Sequence, residues 1–150
     1  MPLSAPPSMQ EEHDEIWRLL VEVQSLSGKT GALAEKLAKD LKTHIDKEES
    51  LALPLLGILP DLVNGRLGNP TAKRAAMLHA MFEKEYPGMI HGHDVIRKSL
   101  AHLRKIGAEE GHLTAVRFAD ALEKHSQEEE EVLYPAALLA GELASMKPRR

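Results

Sequence analysis

Apolar residues recur along this chain at the three-and-four spacing of an amphipathic helix, and glycine and proline divide the recurrences into four long segments. The first, from about Met9 to Leu26, places Ile16, Leu19, Leu20 and Val23 on one face and stops at Ser27-Gly28-Lys29-Thr30-Gly31. The second, from about Ala32 to Leu53, aligns Leu37, Leu41, Leu51 and Leu55 before Pro54, Gly57 and Pro60 fray or end it. Asn64-Gly65, Gly68 and Asn69-Pro70 make a longer connection. The third segment, about Thr71 to Ile106, carries Pro87-Gly88, where a kink or break is expected. Gly107 and Gly111 bracket the next turn, and the fourth segment runs from about Glu109 to Ala144 with Pro135 inside it. Period-two runs of β-branched residues are nearly absent. The pattern therefore predicts an all-α protein, an antiparallel up-and-down four-helix bundle. Residues 1–10 are expected to be a flexible Pro/Ser-rich leader, residues 11–144 the bundle, and residues 145–150 a basic tail.

Histidine and glutamate repeat within that pattern. His44-Ile-Asp-Lys-Glu48-Glu49-Ser-Leu51-Ala-Leu-Pro54 aligns with His125-Ser-Gln-Glu-Glu129-Glu130-Glu-Val132-Leu-Tyr-Pro135. Upstream, His13-Asp14-Glu-Ile16 aligns with His93-Asp94-Val-Ile96. The paired histidines lie 80 and 81 residues apart, nearly the same offset for both blocks. The chain thus reads as a pseudo-twofold repeat of two helical hairpins. Each gives one His from its first helix and a His plus a Glu from its second.

Residues four apart stack on one helix face, so His44 and Glu48 are neighbours on the stripe that holds Leu41, Leu51 and Leu55. His125 and Glu129 likewise fall in line with Phe118, Leu122, Val132 and Ala136, His13 with Ile16 and Leu20, and His93 with Met89, Ile96 and Leu100. Four imidazoles and two carboxylates are therefore directed into an apolar core. Without partners their burial would cost several kcal/mol. Two cations would satisfy them together.

These motifs resemble the hemerythrin-like, or HHE cation-binding, domains, and the resemblance covers residues 11 to 139. It implies a non-heme di-iron centre within the bundle, with His13, His44, Glu48, His93, His125 and Glu129 as metal ligands. The two iron ions would be bridged by the two glutamates and by an oxo or hydroxo group. Oxygen-carrying members have a fifth His one turn before the third-helix His, and here that position is Met89. The set of four His and two Glu is closer to bacterial members linked to nitric oxide and oxidative stress. The iron–sulfur repair proteins among them usually carry a Cys-containing segment, whereas this chain has no Cys.

Composition narrows the remaining classes. Aromatics make up 3% of the 150 residues, so Leu, Ala, Ile, Val and Met must fill the core. A net charge of -4 without a basic stripe argues against nucleic acid as a partner. The absence of Cys leaves only His, Asp and Glu to hold a metal, and removes disulfides and thiolate chemistry. No apolar run approaches the ~20 residues that span a bilayer, so no membrane partner and a cytoplasmic location are expected. The ligand implied is a small molecule, O2, NO or peroxide. Binding, sensing or storage is one reading, and oxidase- or peroxidase-type catalysis another. A zinc or manganese ion with a structural role is a third. Nothing in the sequence names a redox or signalling protein partner or an oligomeric state.

Other polar residues read as ordinary. His91, His102 and His112 fall on other faces or in a turn, and His79 and Glu85 read as bystanders, with a place in or behind the metal shell as the alternative. Glu49, Glu128, Glu130 and Glu131 are expected on a solvated face, and Asp14 and Asp94 as surface charges or helix-positioning groups. Tyr134, five residues after Glu129, is expected to pack in the core, with donation to a bound oxygen species as the alternative.

Overall fold

The computed structural model describes residues 3–146. The described residues are mostly helical: α1 (Pro7–Gln24), α2 (Gly28–Leu51), the short α3 (Leu53–Leu56) and α4 (Leu59–Val63), α5 (Asn69–Glu109), α6 (Leu113–Glu128), a π-helical turn (Glu129–Leu133) and α7 (Tyr134–Met146). Among the described residues there is no strand, and the architecture is consistent with a four-helix bundle in which α6, the π turn and α7 act as one long rod. The expected leader holds the start of α1, and Leu3, Ala5 and Met9 pack against the core. Of the expected basic tail, Ser145 and Met146 belong to α7, while residues 147–150 lie outside the described residues, as do 1 and 2. Among the described residues, no helix is long and apolar enough to cross a membrane.

Of the kink or break expected at Pro87-Gly88, the break does not occur: α5 runs through both residues. Proline removes one backbone donor and clashes with the carbonyl four residues earlier. Pro87 sits on the exposed side of α5, where water can serve the carbonyl that loses its partner. Burial of Phe82, Met89, His93 and Ile96 on the other side holds the helix together across it.

The core is divided. Leu20, Val23, Leu37, Leu41, Ile45, Ile96, Leu100, Phe118 and Leu122 form one apolar cluster. Leu51, Leu53, Leu55, Phe82, Met89, Tyr134 and Ala137 belong to the other. On each of the four long rods a histidine stands where one cluster gives way to the other: His13 on α1, His44 on α2, His93 on α5 and His125 on α6. A buried polar layer separates the two halves of the core.

Candidate metal centre

All six residues singled out from the sequence are buried in that layer. His13, Glu48, His93 and Glu129 are at most 2% exposed, His44 7% and His125 9%. They form two groups, His13, Glu48, His125 and Glu129, and His44, Glu48, His93 and Glu129, with ligand atoms within 4.8 Å of one another. Both groups share Glu48 and Glu129.

Every one of the four imidazoles turns Nε2 inward. His13 Nε2 lies 2.8 Å from Glu48 Oε1, and His44 Nε2 lies 3.3 Å from Glu48 Oε2. His93 Nε2 is 3.2 Å from Glu129 Oε1, and His125 Nε2 is 3.4 Å from Glu129 Oε2. That last contact is not aligned as a hydrogen bond, so Glu129 Oε2 is a buried oxygen without a hydrogen-bond partner. Such an orphan is costly unless a cation or water serves it.

The electrostatics point the same way. Burial, reinforced by the adjoining Glu48, pushes the Glu129 carboxyl well above the usual carboxylate range. Burial also acts to raise Glu48, but hydrogen bonds from Glu129, His13 and His44 outweigh it and hold Glu48 well below that range. A hydrogen bond from Glu129 to Glu48 acts on the two acids in these opposite directions. Burial disfavours charge on His13, yet the carboxylates of Glu48 and Glu49 at its two nitrogens prevail and raise its pKa. Burial, with His44 alongside, lowers that of His93. A cation between the two carboxylates would take the place of the Glu129–Glu48 hydrogen bond. The donor set of imidazole and carboxylate, with no thiolate, suits a divalent or trivalent first-row metal.

Residues expected to be solvated turn out to support the layer. Glu49 accepts from His13 Nδ1 at 3.2 Å and Glu130 from His93 Nδ1 at 2.9 Å. Glu130 is in turn held by Arg97 at 2.8 Å, which with His93 keeps it ionised below its ordinary pKa. Glu12, which the sequence did not single out, lies 3.3 Å from His125 Nδ1. The signal for Glu49 and Glu130 was present: both follow the ligand-type Glu at the same place in the repeat. Glu12 has no such counterpart.

Tyr134 belongs to the layer as well as to the core. Its hydroxyl donates to Glu48 Oε2 at 2.8 Å and lies 3.1 Å from His44 Nε2 and 3.3 Å from His93 Nε2, while its ring stacks on His93. Burial beside Glu48 and Glu129 raises its pKa strongly, so it remains a protonated donor. The π turn accounts for its position. Tyr134 N–H bonds back to the Glu129 carbonyl, five residues earlier, which sets Tyr134 over Glu129. The same turn carries Val132 outward to 59% exposure, against its expected place in the apolar stripe.

The residues expected to be bystanders lie elsewhere. His79 packs against Gly141 and lies 3.5 Å from Glu83, Glu85 pairs with Lys47 at 3.6 Å on the surface, and His91 and His102 are exposed. His112 lies 3.1 Å from the Ser27 carbonyl. Met89 is buried in the same apolar cluster as Tyr134 and lines a groove that reaches His44.

Compared with protein-family models, with characterised proteins and with solved structures, the chain matches none. What stands is a helical protein with a buried His/Glu layer that can hold a metal ion.

Proposed function

We propose that the chain is a hemerythrin-like, non-heme di-iron protein that binds or reacts with a small molecule such as O2, NO or peroxide. The observation that carries this reading is the pair of overlapping ligand groups that share both Glu48 and Glu129. In it, His13 and His125 would hold one ion and His44 and His93 the other, with Glu48 and Glu129 available to both. When bound, the iron pair would supply redox chemistry toward the small molecule.

The chain's own residues do the rest. Glu49, Glu130 and Glu12 hold the Nδ1 protons of His13, His93 and His125, which fixes the tautomer that leaves Nε2 free to ligate. Tyr134, kept protonated, donates into the same space and can hydrogen-bond an oxygen-containing ligand. The apolar clusters on either side keep bulk water away. The finer fold reading is an antiparallel bundle of two repeated hairpins, supported by the matching bonds His13–Glu49 and His93–Glu130. A cytoplasmic setting accords with the absence of Cys.

Elemental analysis of protein expressed in iron-supplemented medium tests the proposal. About two irons per chain are expected, as a two-metal site requires, with loss in the His44→Ala and His125→Ala variants. A folded protein that stays free of metal would overturn it, and full occupancy by colourless zinc would favour the structural alternative. Stopped-flow spectroscopy of the reduced protein then separates a reversible ligand adduct from turnover.

A further inference from the structure

The four imidazoles of the layer divide three to one. His13, His93 and His125 each direct Nδ1 at a carboxylate, whereas His44 uses only Nε2, toward Tyr134 and Glu48. No hydrogen bond or ion pair to His44 Nδ1 is formed among the described residues, and His44 lines a surface groove. Facing it is a gap on α5. A Cβ at Gly92 would stand 3.1 Å from His44 Nδ1, while one at Gly88, a turn earlier, would meet nothing within 4 Å. Together they floor a groove of about 200 Å³ walled by Thr43, Lys47, Met89 and Ile96.

The repeat in the sequence gives this gap its meaning. With His13 aligned to His93, Gly92 stands where the first half has Glu12, the residue that bonds His125 Nδ1. The counterpart of His125 is His44. The chain therefore has a carboxylate on one imidazole and an absent side chain on its partner. Glycine inside a helix lowers its stability relative to alanine, and at Gly88 no packing demands it. Glycine does allow a ligand to approach the backbone closely.

We infer that the groove over Gly88 and Gly92 is the access route and docking pocket for the small molecule, a compact hydrogen-bond acceptor that takes His44 Nδ1 as its partner. The inference rests on the proposed metal centre for the ligand's destination, but the groove itself is open without a metal. With Nε2 turned toward Glu48 and Tyr134, Nδ1 is the ring nitrogen that faces the groove and meets whatever enters it.

Metal-free protein treated with diethylpyrocarbonate and mapped by mass spectrometry reads the route directly. His44 should be acylated about tenfold faster than His13, His93 and His125, and Gly88→Leu should slow it about fivefold. Gly88→Ala, which adds one methyl in open space, should slow it less and leave the fold intact by circular dichroism. The exposed His91 and His102 should react unchanged in every variant. Reaction of His44 no faster than His93, or an unchanged His44 rate in either folded variant, overturns the inference. In iron-loaded protein, azide binding should slow in the same order of variants. Because the acylation arm uses no metal, failure of the route and failure of the iron reading give different results.

Discussion

Glu48 and Glu129 have the same chemistry and opposite electrostatic situations. Glu48 is hydrogen-bonded by His13 and Tyr134 and held well below the usual carboxylate range, while burial pushes Glu129 well above it. Amide substitution should separate them. Glutamine at 129 mimics the protonated acid, so Glu129→Gln should change metal-free stability in urea by no more than about 1 kcal/mol, the scale of one exchanged hydrogen bond. Its metal content should nevertheless fall, because an amide is a poorer ligand for a metal ion than a carboxylate. Glu48→Gln removes the charge that the surrounding donors are arranged around and should cost about 3 kcal/mol, the usual result of breaking a buried pair. Equal losses in the two variants would show that the two acids do not differ as described. At this scale the six inward residues were legible because the four-residue spacing fixes a helix face. The outer carboxylates were not, since which glutamate on a polar face meets a neighbouring imidazole depends on how the helices sit against one another.

Among the elements, the π turn and the start of α2 show where periodicity stops being informative. A helical wheel drawn at 3.6 residues per turn puts Val132 inward, and only the extra residue per turn at 129–133 brings Tyr134 over Glu129 instead. Pro135 in the sequence marked a disturbance there but not its kind. The four long segments were legible; the continuity of α5 across Pro87 was not, because packing on both sides of a proline is a tertiary matter. The start of α2 is capped from a distance. Ser27 makes no side-chain cap, and Glu110 from the far end of α5 accepts from the backbone N–H groups of Lys29 and Thr30 at 3.0 and 2.8 Å. The Thr30 hydroxyl, with those two N–H groups, lowers the Glu110 pKa from 4.5 to about 2. A depressed folded-state pKa stabilises the fold above the unfolded value and loses that contribution as pH falls through the folded one. The contribution of Glu110 should therefore be complete above pH 4.5 and fade toward pH 2. Thermal melts of Glu110→Gln and the parent should converge as the pH is lowered across that window, and a constant gap would contradict the capping role. Gly28→Ala should be destabilised at every pH. Its φ of +77° disfavours a side chain, and a Cβ would collide with the Glu110 carboxylate.

For the whole molecule, the polar layer is a cost carried between two apolar clusters that would otherwise merge. Its bonds are good, but one buried oxygen is unserved, and two buried acids adjoin and shift one another's pKa in opposite directions. Buried ionic groups replaced by apolar residues of similar volume often leave a protein more stable, by about 1–4 kcal/mol. A variant with Leu at His13, His44, His93 and His125, Met at Glu48 and Glu129, and Phe at Tyr134 would join the clusters into one core. Glu12, Glu49 and Glu130 reach the protein surface, so water can replace their imidazole partners. If the layer exists to hold metal, this variant should unfold at higher urea than the metal-free parent and should not respond to added iron. The parent should gain stability with iron, because a ligand bound only by the folded state shifts the equilibrium toward it. If the layer instead specifies the packing, the apolar variant should be less stable than the metal-free parent or lose its cooperative transition, and the layer would then be structural.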